Sequence, residues 1–381
     1  MLIGIDGLSL SETKTGVGHY TFELVRALAL ESPADEFEVV SPRPFLAAET
    51  DSAVPSNLRL VRAEAGLLGR RWFLFGLPRY IRRRGLALFH GTNYEVPLRS
   101  VCPTVLTIHD LSLLLHSETH ETARVRRARR RLPLMARAAT MIVTPTESVR
   151  GEVCEHLKVA GNRVVAVPEA ARAVFRPQSA AETLAVRKRL TVADDFLLFV
   201  GTLEPRKNLP VLVRAFREVL RETGGRLQLV IAGQKGWLTD ALFSEVKESG
   251  LNESVRFTGY VSDDELRALY SSCKAFVYPS LYEGFGLPPL EAMACGAPVV
   301  ASSIPSIKEI VGDAALLVAP ADTPGLTRAI IKVLRDDSLR QRTIEKGIER
   351  AASFSWQRTA RLMRGVYDEA LARGRSVEAG K

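Results

Sequence analysis

The chain has 381 residues, too many for one ordinary core, and its 46% hydrophobic and 25% charged content is that of a folded globular protein rather than a disordered or fibrous one. No apolar run reaches the roughly 18 residues of a membrane span, and the start MLIGIDGLSL lacks the features of a signal peptide, so a cytoplasmic protein is expected. The net charge of +9 leaves nucleic acid, an anionic membrane surface or phosphorylated ligands as partners.

Strand and helix signals alternate along the chain. Short, β-branched apolar runs predict strands at 2–6, 37–41, 58–62, 86–90, 104–109, 141–144 and 163–167. Amphipathic runs between them predict helices at 17–30, 73–84, 124–138 and 147–157. Near 175–177 the pattern breaks into a linker, and a second series begins. Its strands are predicted at 196–201, 227–232, 255–258, 275–278, 299–302 and 315–318, and its helices at 209–221, 240–248, 263–272, 288–294 and 324–336. Two further helices, 338–352 and 356–372, close the chain. The alternation implies an α/β protein of two doubly wound, Rossmann-like domains, about 1–175 and 178–355. Ligands of such sheets bind at the carboxyl ends of the strands, which makes an interdomain cleft the expected site.

The four cysteines, Cys102, Cys154, Cys273 and Cys295, have no C-x-x-C spacing and read as small buried hydrophobes in a reducing compartment. The positive charge is concentrated instead. Six arginines and no acid lie in 70–84, and seven arginines and no acid lie in 124–137. No nucleic-acid recognition motif accompanies them. The mixture of basic and apolar residues from Arg70 to Leu77 suits a face resting on an anionic membrane, the alternative being solvated surface.

The strongest chemical signal is Glu283-Gly-Phe-Gly-Leu-Pro-Pro-Leu-Glu291, between a strand and a helix. Gly284 and Gly286 permit a tight turn and close approach of backbone to a ligand. Amides at the helix start suit an anion. Glu283 is placed to accept sugar hydroxyls, and Glu291, one turn into the helix, to hold a ribose diol. The plain alternative is a structural helix start with acids near its positive end. Arg206 and Lys207, in Gly201-Thr-Leu-Glu-Pro-Arg-Lys-Asn208, follow another strand and suit a diphosphate, Arg by its planar fork and Lys as a point charge. With them no metal is required, and the chain has no D-x-D motif. Three weaker signals follow. Thr15-Gly16-Val17-Gly18-His19 reads as a loop that brings amides near phosphates, or as an ordinary glycine turn. His109-Asp110 ends an apolar strand, either facing substrate or satisfied internally. Tyr260, after Gly259, either cradles a nucleobase or belongs to the core.

Together these motifs resemble family 4 of the retaining glycosyltransferases, which have the GT-B fold. The resemblance runs from Gly16 and Gly18 through GTLEPRKNL, IAGQKGW, FTGYVSDDEL and YPSLYEGFGLPPLEAMACGAPVVAS to Phe354-Ser-Trp356, nearest to the bacterial mannosyltransferase-B-like branch. It implies an acceptor-binding N-terminal domain, onto which a final helix at 357–373 packs back, and a C-terminal domain that binds the nucleotide sugar. It assigns the diphosphate to Arg206 and Lys207, the donor sugar to Glu283, and the ribose to Glu291. Backbone groups of Gly284, Phe285, Gly286 and Leu287 would hold sugar hydroxyls and phosphate. Gly16 and Gly18 would pack against the phosphates, and His109 would contact the donor sugar or reacting centre. GDP-mannose is the donor it favours over a UDP-sugar, with a saccharide or lipid-linked acceptor and no cofactor. The expected chemistry is metal-independent, front-face transfer with retention. A nucleotide-sugar 2-epimerase or a sugar phosphorylase of the same architecture, and a basic nucleic-acid-binding protein, are the alternatives.

Overall fold

Strands form where β-branched and aromatic runs are apolar on both faces, the pattern of parallel sheets covered by helices on each side. The structure, a computed structural model, describes residues 1–11, 16–46, 54–64, 71–99 and 101–379. The chain divides into two compact units, Met1–Leu111 with Arg126–Glu169 and Ser355–Lys381, and Ser112–Val125 with Ala170–Phe354. Each is built on a parallel sheet with the alternating strands and helices of a Rossmann-like domain.

In the first unit the strands are β1 (Leu2–Asp6), β2 (Glu36–Ser41), β3 (Leu58–Arg62), β4 (Leu88–Gly91), β5 (Thr104–Thr107), β6 (Met141–Thr144) and β7 (Val164–Ala166). Their order is β3-β2-β1-β4-β5-β6-β7, so the winding reverses between β1 and β4. The helix Trp356–Ala379 packs in this unit against the helix Gly16–Glu31. Trp356, Ala360, Met363, Tyr367 and Ala370 recur at alternating steps of four and three and are all buried, giving one apolar stripe. Tyr367 also bonds the buried His90 Nδ1 at 2.8 Å.

In the second unit the strands are β8 (Phe196–Val200), β9 (Gln228–Ala232), β10 (Val255–Gly259), β11 (Ala275–Tyr278), β12 (Val299–Ser302) and β13 (Leu316–Val318). Their order is β10-β9-β8-β11-β12-β13. Here the winding reverses between β8 and β11, which pair in parallel through Leu197↔Ala275 and Leu198↔Phe276. Phe196, Phe199, Phe216, Phe276 and Tyr278 fill the core around this pair.

Several elements differ from the sequence reading. Helices also form at Ala180–Leu190 and Pro305–Val311, where none was expected. Residues 16–18 are the first turn of the helix Gly16–Glu31 rather than a loop before it. The expected helix at 73–84 is wound wide over Trp72–Gly76 and becomes α-helical only at Leu77–Arg84. Two stretches of the first half belong to the second unit. Phe175 sits in that unit's core and Arg172 pairs there with Asp263 at 2.5 Å. Segment Ser112–Val125 is held by Trp237, whose indole N–H donates to the Thr119 carbonyl at 2.8 Å, with the Arg124 guanidinium 4.9 Å over its ring.

Candidate active site

The reversal point of a doubly wound sheet leaves a crevice at the carboxyl ends of the two diverging strands. In the second unit the turn after β8 carries Arg206 and Lys207, and the loop after β11 carries Glu283. Backbone chemistry fixes the two loops to each other. Pro205–Lys207 makes one tight turn, closed by Asn208 in a left-handed conformation (φ 57°). Asparagine tolerates that region, and its amide donates to the Pro279 and Pro320 carbonyls at 3.0 and 2.8 Å. The Leu281 N–H donates to the Arg206 carbonyl at 2.9 Å.

The side chains then meet. Glu283 accepts from the Lys207 ammonium at 2.6 Å on one oxygen and from Arg206 Nη1 at 2.8 Å on the other. The same Nη1 donates to the Tyr282 carbonyl, and Nη2 donates to Glu204 at 2.6 Å. Lys207 also donates to the Tyr278 hydroxyl at 3.0 Å. Glu204, Lys207 and Glu283 are each 7% exposed. Burial alone would raise the Glu283 carboxyl, but the facing charges of Arg206 and Lys207 outweigh it and hold it down at about 2. Lys207 is itself pushed down, by burial and by Arg206, against the upward pull of Glu283 and Glu204. The ionised carboxylate is the stronger effect, because one carboxylate faces two cations.

After Glu283 the chain turns through Gly286, whose φ of +107° opens the helix Leu287–Ala294. That conformation favours glycine, and a Cβ there would also lie 2.6 Å from Ile307 Cδ1, so that side chain would have to shift. Phe285 is buried, and Ser306 donates to the Glu283 carbonyl at 2.6 Å, which pins the loop. Gly284 and Leu287 lie in the same turn. Glu291, on that helix, is 7% exposed and accepts from the Tyr270 hydroxyl at 3.4 Å, with Arg172 Nε 3.6 Å away. Burial raises its carboxyl to about 7; Arg172 lowers it and Asp263 raises it. Tyr260 follows Gly259 and is 57% exposed, so it is a surface tyrosine and not the core tyrosine of the alternative reading.

In the first unit Gly16 opens its helix and Gly18 is buried in the first turn, while Thr15 lies outside the described residues. His109 follows β5. Its Nε2 donates to the Thr92 carbonyl at 2.8 Å, its Nδ1 lies 3.5 Å from Glu169, and Tyr20 meets the ring edge-on at 4.8 Å. The Asp110 N–H donates to the Tyr94 hydroxyl at 3.0 Å. His90 has Tyr367 and Thr107 on its two nitrogens, and burial, with His109 nearby, pushes it down to about 3, which suits a structural histidine.

The sequence reading thus named Arg206, Lys207 and Glu283, which converge. It missed Glu204, Tyr278, Tyr270 and Arg172, which hold them and Glu291. Glu204 and Tyr278 lay within quoted motifs, Glu204 two residues from Arg206 and Tyr278 at the start of the segment that carries Glu283; Tyr270 and Arg172 carry no local signal. Also missed was Asp6, buried at the end of β1 and raised to about 7 by burial and by Glu95, against a lowering bond from the Leu8 N–H.

Two family models match the chain, Glycosyltransferase Family 4 over residues 14–171 and Glycosyl transferases group 1 over 182–350. O-antigen chain mannosyltransferase B of Escherichia coli is 34% identical over 359 residues, 90% of this chain and 93% of that one. The chain belongs to glycosyltransferase family 4. This family-4 enzyme shares its fold with sucrose-phosphate synthase from Thermosynechococcus elongatus (TM-score 0.76, 23% identity, 98% of this chain and 99% of that one). It also shares it with Anabaena Alr3699/HepE, solved in complex with UDP and glucose (TM-score 0.72, 18% identity, 96% and 98% covered).

Proposed function

We propose that this glycosyltransferase moves mannose from GDP-mannose to a hydroxyl of a saccharide or lipid-linked saccharide in cell-surface polysaccharide synthesis. Transfer proceeds with retention and needs no metal. The observation that carries the donor half is the Arg206–Lys207 pair at the reversal point of the second sheet, Lys207 buried and Arg206 half-buried, which suits a diphosphate leaving group that needs charge. Mannose and a polysaccharide product are supported by the E. coli relative, named for mannosyl transfer in an O-antigen chain. The UDP and glucose held by Alr3699/HepE make a UDP-sugar the second donor class to test.

In this mechanism the bond from the anomeric carbon to the diphosphate oxygen breaks first, leaving an oxocarbenium-like centre. Arg206 and Lys207 stabilise the charge that develops on the departing phosphate. The acceptor oxygen then adds on the same face, and its proton passes to that phosphate oxygen. Glu283 orients the sugar, Glu291 takes the ribose diol, Tyr260 lies against the base, amides of residues 284–287 serve hydroxyls and phosphate, and those of Gly16 and Gly18 serve the phosphates. His109 contacts the sugar or the reacting centre.

A lipid-linked acceptor suits an enzyme on the inner face of the cytoplasmic membrane. Among the described residues no helix is long and apolar enough to cross a membrane. Leu74 and Phe75 are instead exposed at 43% and 52%, and Arg71, Arg79, Arg82 and Arg83 are exposed around them, while Arg84 is held by Glu38. Arg70 lies outside the described residues. Apolar and basic exposure on one segment supports docking to anionic lipid.

The test is thermal stabilisation by GDP, UDP and ADP, each with and without EDTA. A ligand that binds only the folded state raises stability as RT ln(1 + [L]/Kd). A rise with GDP that EDTA leaves unchanged is the expected result. No rise with any of the three at millimolar concentration would overturn the reading.

A further inference from the structure

Glu283 and a diphosphate compete for the same donors. The two Glu283 oxygens are held by Lys207 at 2.6 Å and by Arg206 Nη1 at 2.8 Å, and these are the cations assigned to the leaving group. With Glu204 they make a cluster of two cations and two carboxylates in which Glu204, Lys207 and Glu283 are buried and Arg206 is half-buried. A diphosphate added to it brings further negative charge against Glu283, and buried like charges repel strongly. The two carboxylates are not equivalent. Glu204 reaches Arg206 through Nη2, the other arm of the guanidinium. Arg206 therefore keeps Glu204 and Lys207 keeps the Tyr278 hydroxyl if Glu283 lets go. The Glu283 main chain stays fixed by Ser306, so only its side chain has to turn.

We propose that Glu283 is a displaceable counter-ion: the diphosphate takes Arg206 and Lys207 from it, and the released carboxylate accepts the hydroxyls of the donor sugar. The proposal rests on the nucleotide-sugar reading above and adds an order to it. Leaving-group binding readies the sugar subsite, so nucleoside diphosphate and monosaccharide bind with positive coupling. Glu204 and Tyr278 are positioning residues that hold the cations during the exchange.

The experiment titrates GDP, UDP and inorganic pyrophosphate into wild type and Glu283→Gln by calorimetry. It also titrates mannose and glucose into wild type with and without saturating nucleoside diphosphate. Glu283→Gln no longer competes for the cations, so the expected result is diphosphate binding about tenfold tighter than wild type, alongside loss of transfer activity. In wild type the monosaccharide dissociation constant is expected to fall at least about fivefold when the nucleoside diphosphate is bound. Diphosphate binding by Glu283→Gln that equals or falls below a measurable wild-type affinity overturns the proposal and leaves the glycosyltransferase reading intact. If the variant does not fold, the wild-type coupling decides alone, and a monosaccharide affinity unmoved by bound nucleoside diphosphate overturns it. Absence of all nucleotide and pyrophosphate binding by wild type would instead sink the nucleotide-sugar reading, and this proposal with it.

Discussion

Replacing Glu291 by Gln should make the protein more resistant to unfolding at alkaline pH while it weakens nucleotide binding. Glu291 is raised to about 7, chiefly by burial, whereas a glutamate in the unfolded chain titrates near 4.5. The sign follows. Between those values the folded chain holds a proton that the unfolded chain has lost, so stability falls as pH rises through the window. The cost of ionising the buried group is about 1 kcal/mol at pH 5 and grows to about 3 kcal/mol at pH 8. Gln resembles the neutral acid and never meets this cost. The stability of Glu291→Gln relative to wild type should therefore improve by about 2 kcal/mol between pH 5 and pH 8, whatever constant offset the change in hydrogen bonding to Tyr270 and Arg172 introduces. Urea unfolding of both proteins at the two pH values measures this difference. If Glu291 holds the ribose diol as proposed, loss of its carboxylate should weaken nucleotide binding about 10- to 100-fold. A stability difference that does not change with pH would refute the reasoning, because Glu291 would then titrate as an ordinary surface carboxylate.

Three further outcomes are expected. Lys207→Met should lower kcat about 100- to 1,000-fold, with a smaller effect on the acceptor KM, because the proposed mechanism uses its charge on the departing phosphate; steady-state kinetics with each substrate varied checks it. Gly286→Ala should destabilise by about 1–3 kcal/mol, since φ is +107° and the new Cβ would meet Ile307 at 2.6 Å, as read by denaturant unfolding. Trp237→Ala removes the hydrogen bond to Thr119 and the Arg124 contact, and amides of 112–125 should exchange with deuterium about tenfold faster, as hydrogen-exchange mass spectrometry would register.

The sheets were legible because parallel strands covered on both faces read as unbroken apolar runs, as in FLLFV and AFVY. Helix Ala180–Leu190 was passed over because its apolar face is sparse and its 11 residues bury mainly Thr183. Its start was nevertheless written in the sequence, where Ser179 and Glu182 form a capping box. Arg206, Lys207 and Glu283 stood out because glycines and prolines punctuate the loops that carry them. Their pairing with one another was not legible, since 76 residues separate Lys207 from Glu283 and only the order of β8 and β11 brings them together. Arg172 and Tyr270 were invisible for the same reason. Neither lies in a motif, yet together they surround Glu291.

The most direct test of the central claim is the anomeric configuration of the product formed from GDP-mannose and a mannose-terminated acceptor in the presence of EDTA, read by NMR from the one-bond carbon–proton coupling of the new linkage. Metal-independent retention requires that the α configuration of the donor is kept and that the rate is unchanged by EDTA. A β-linked product, or transfer abolished by EDTA and restored by a divalent cation, would contradict it.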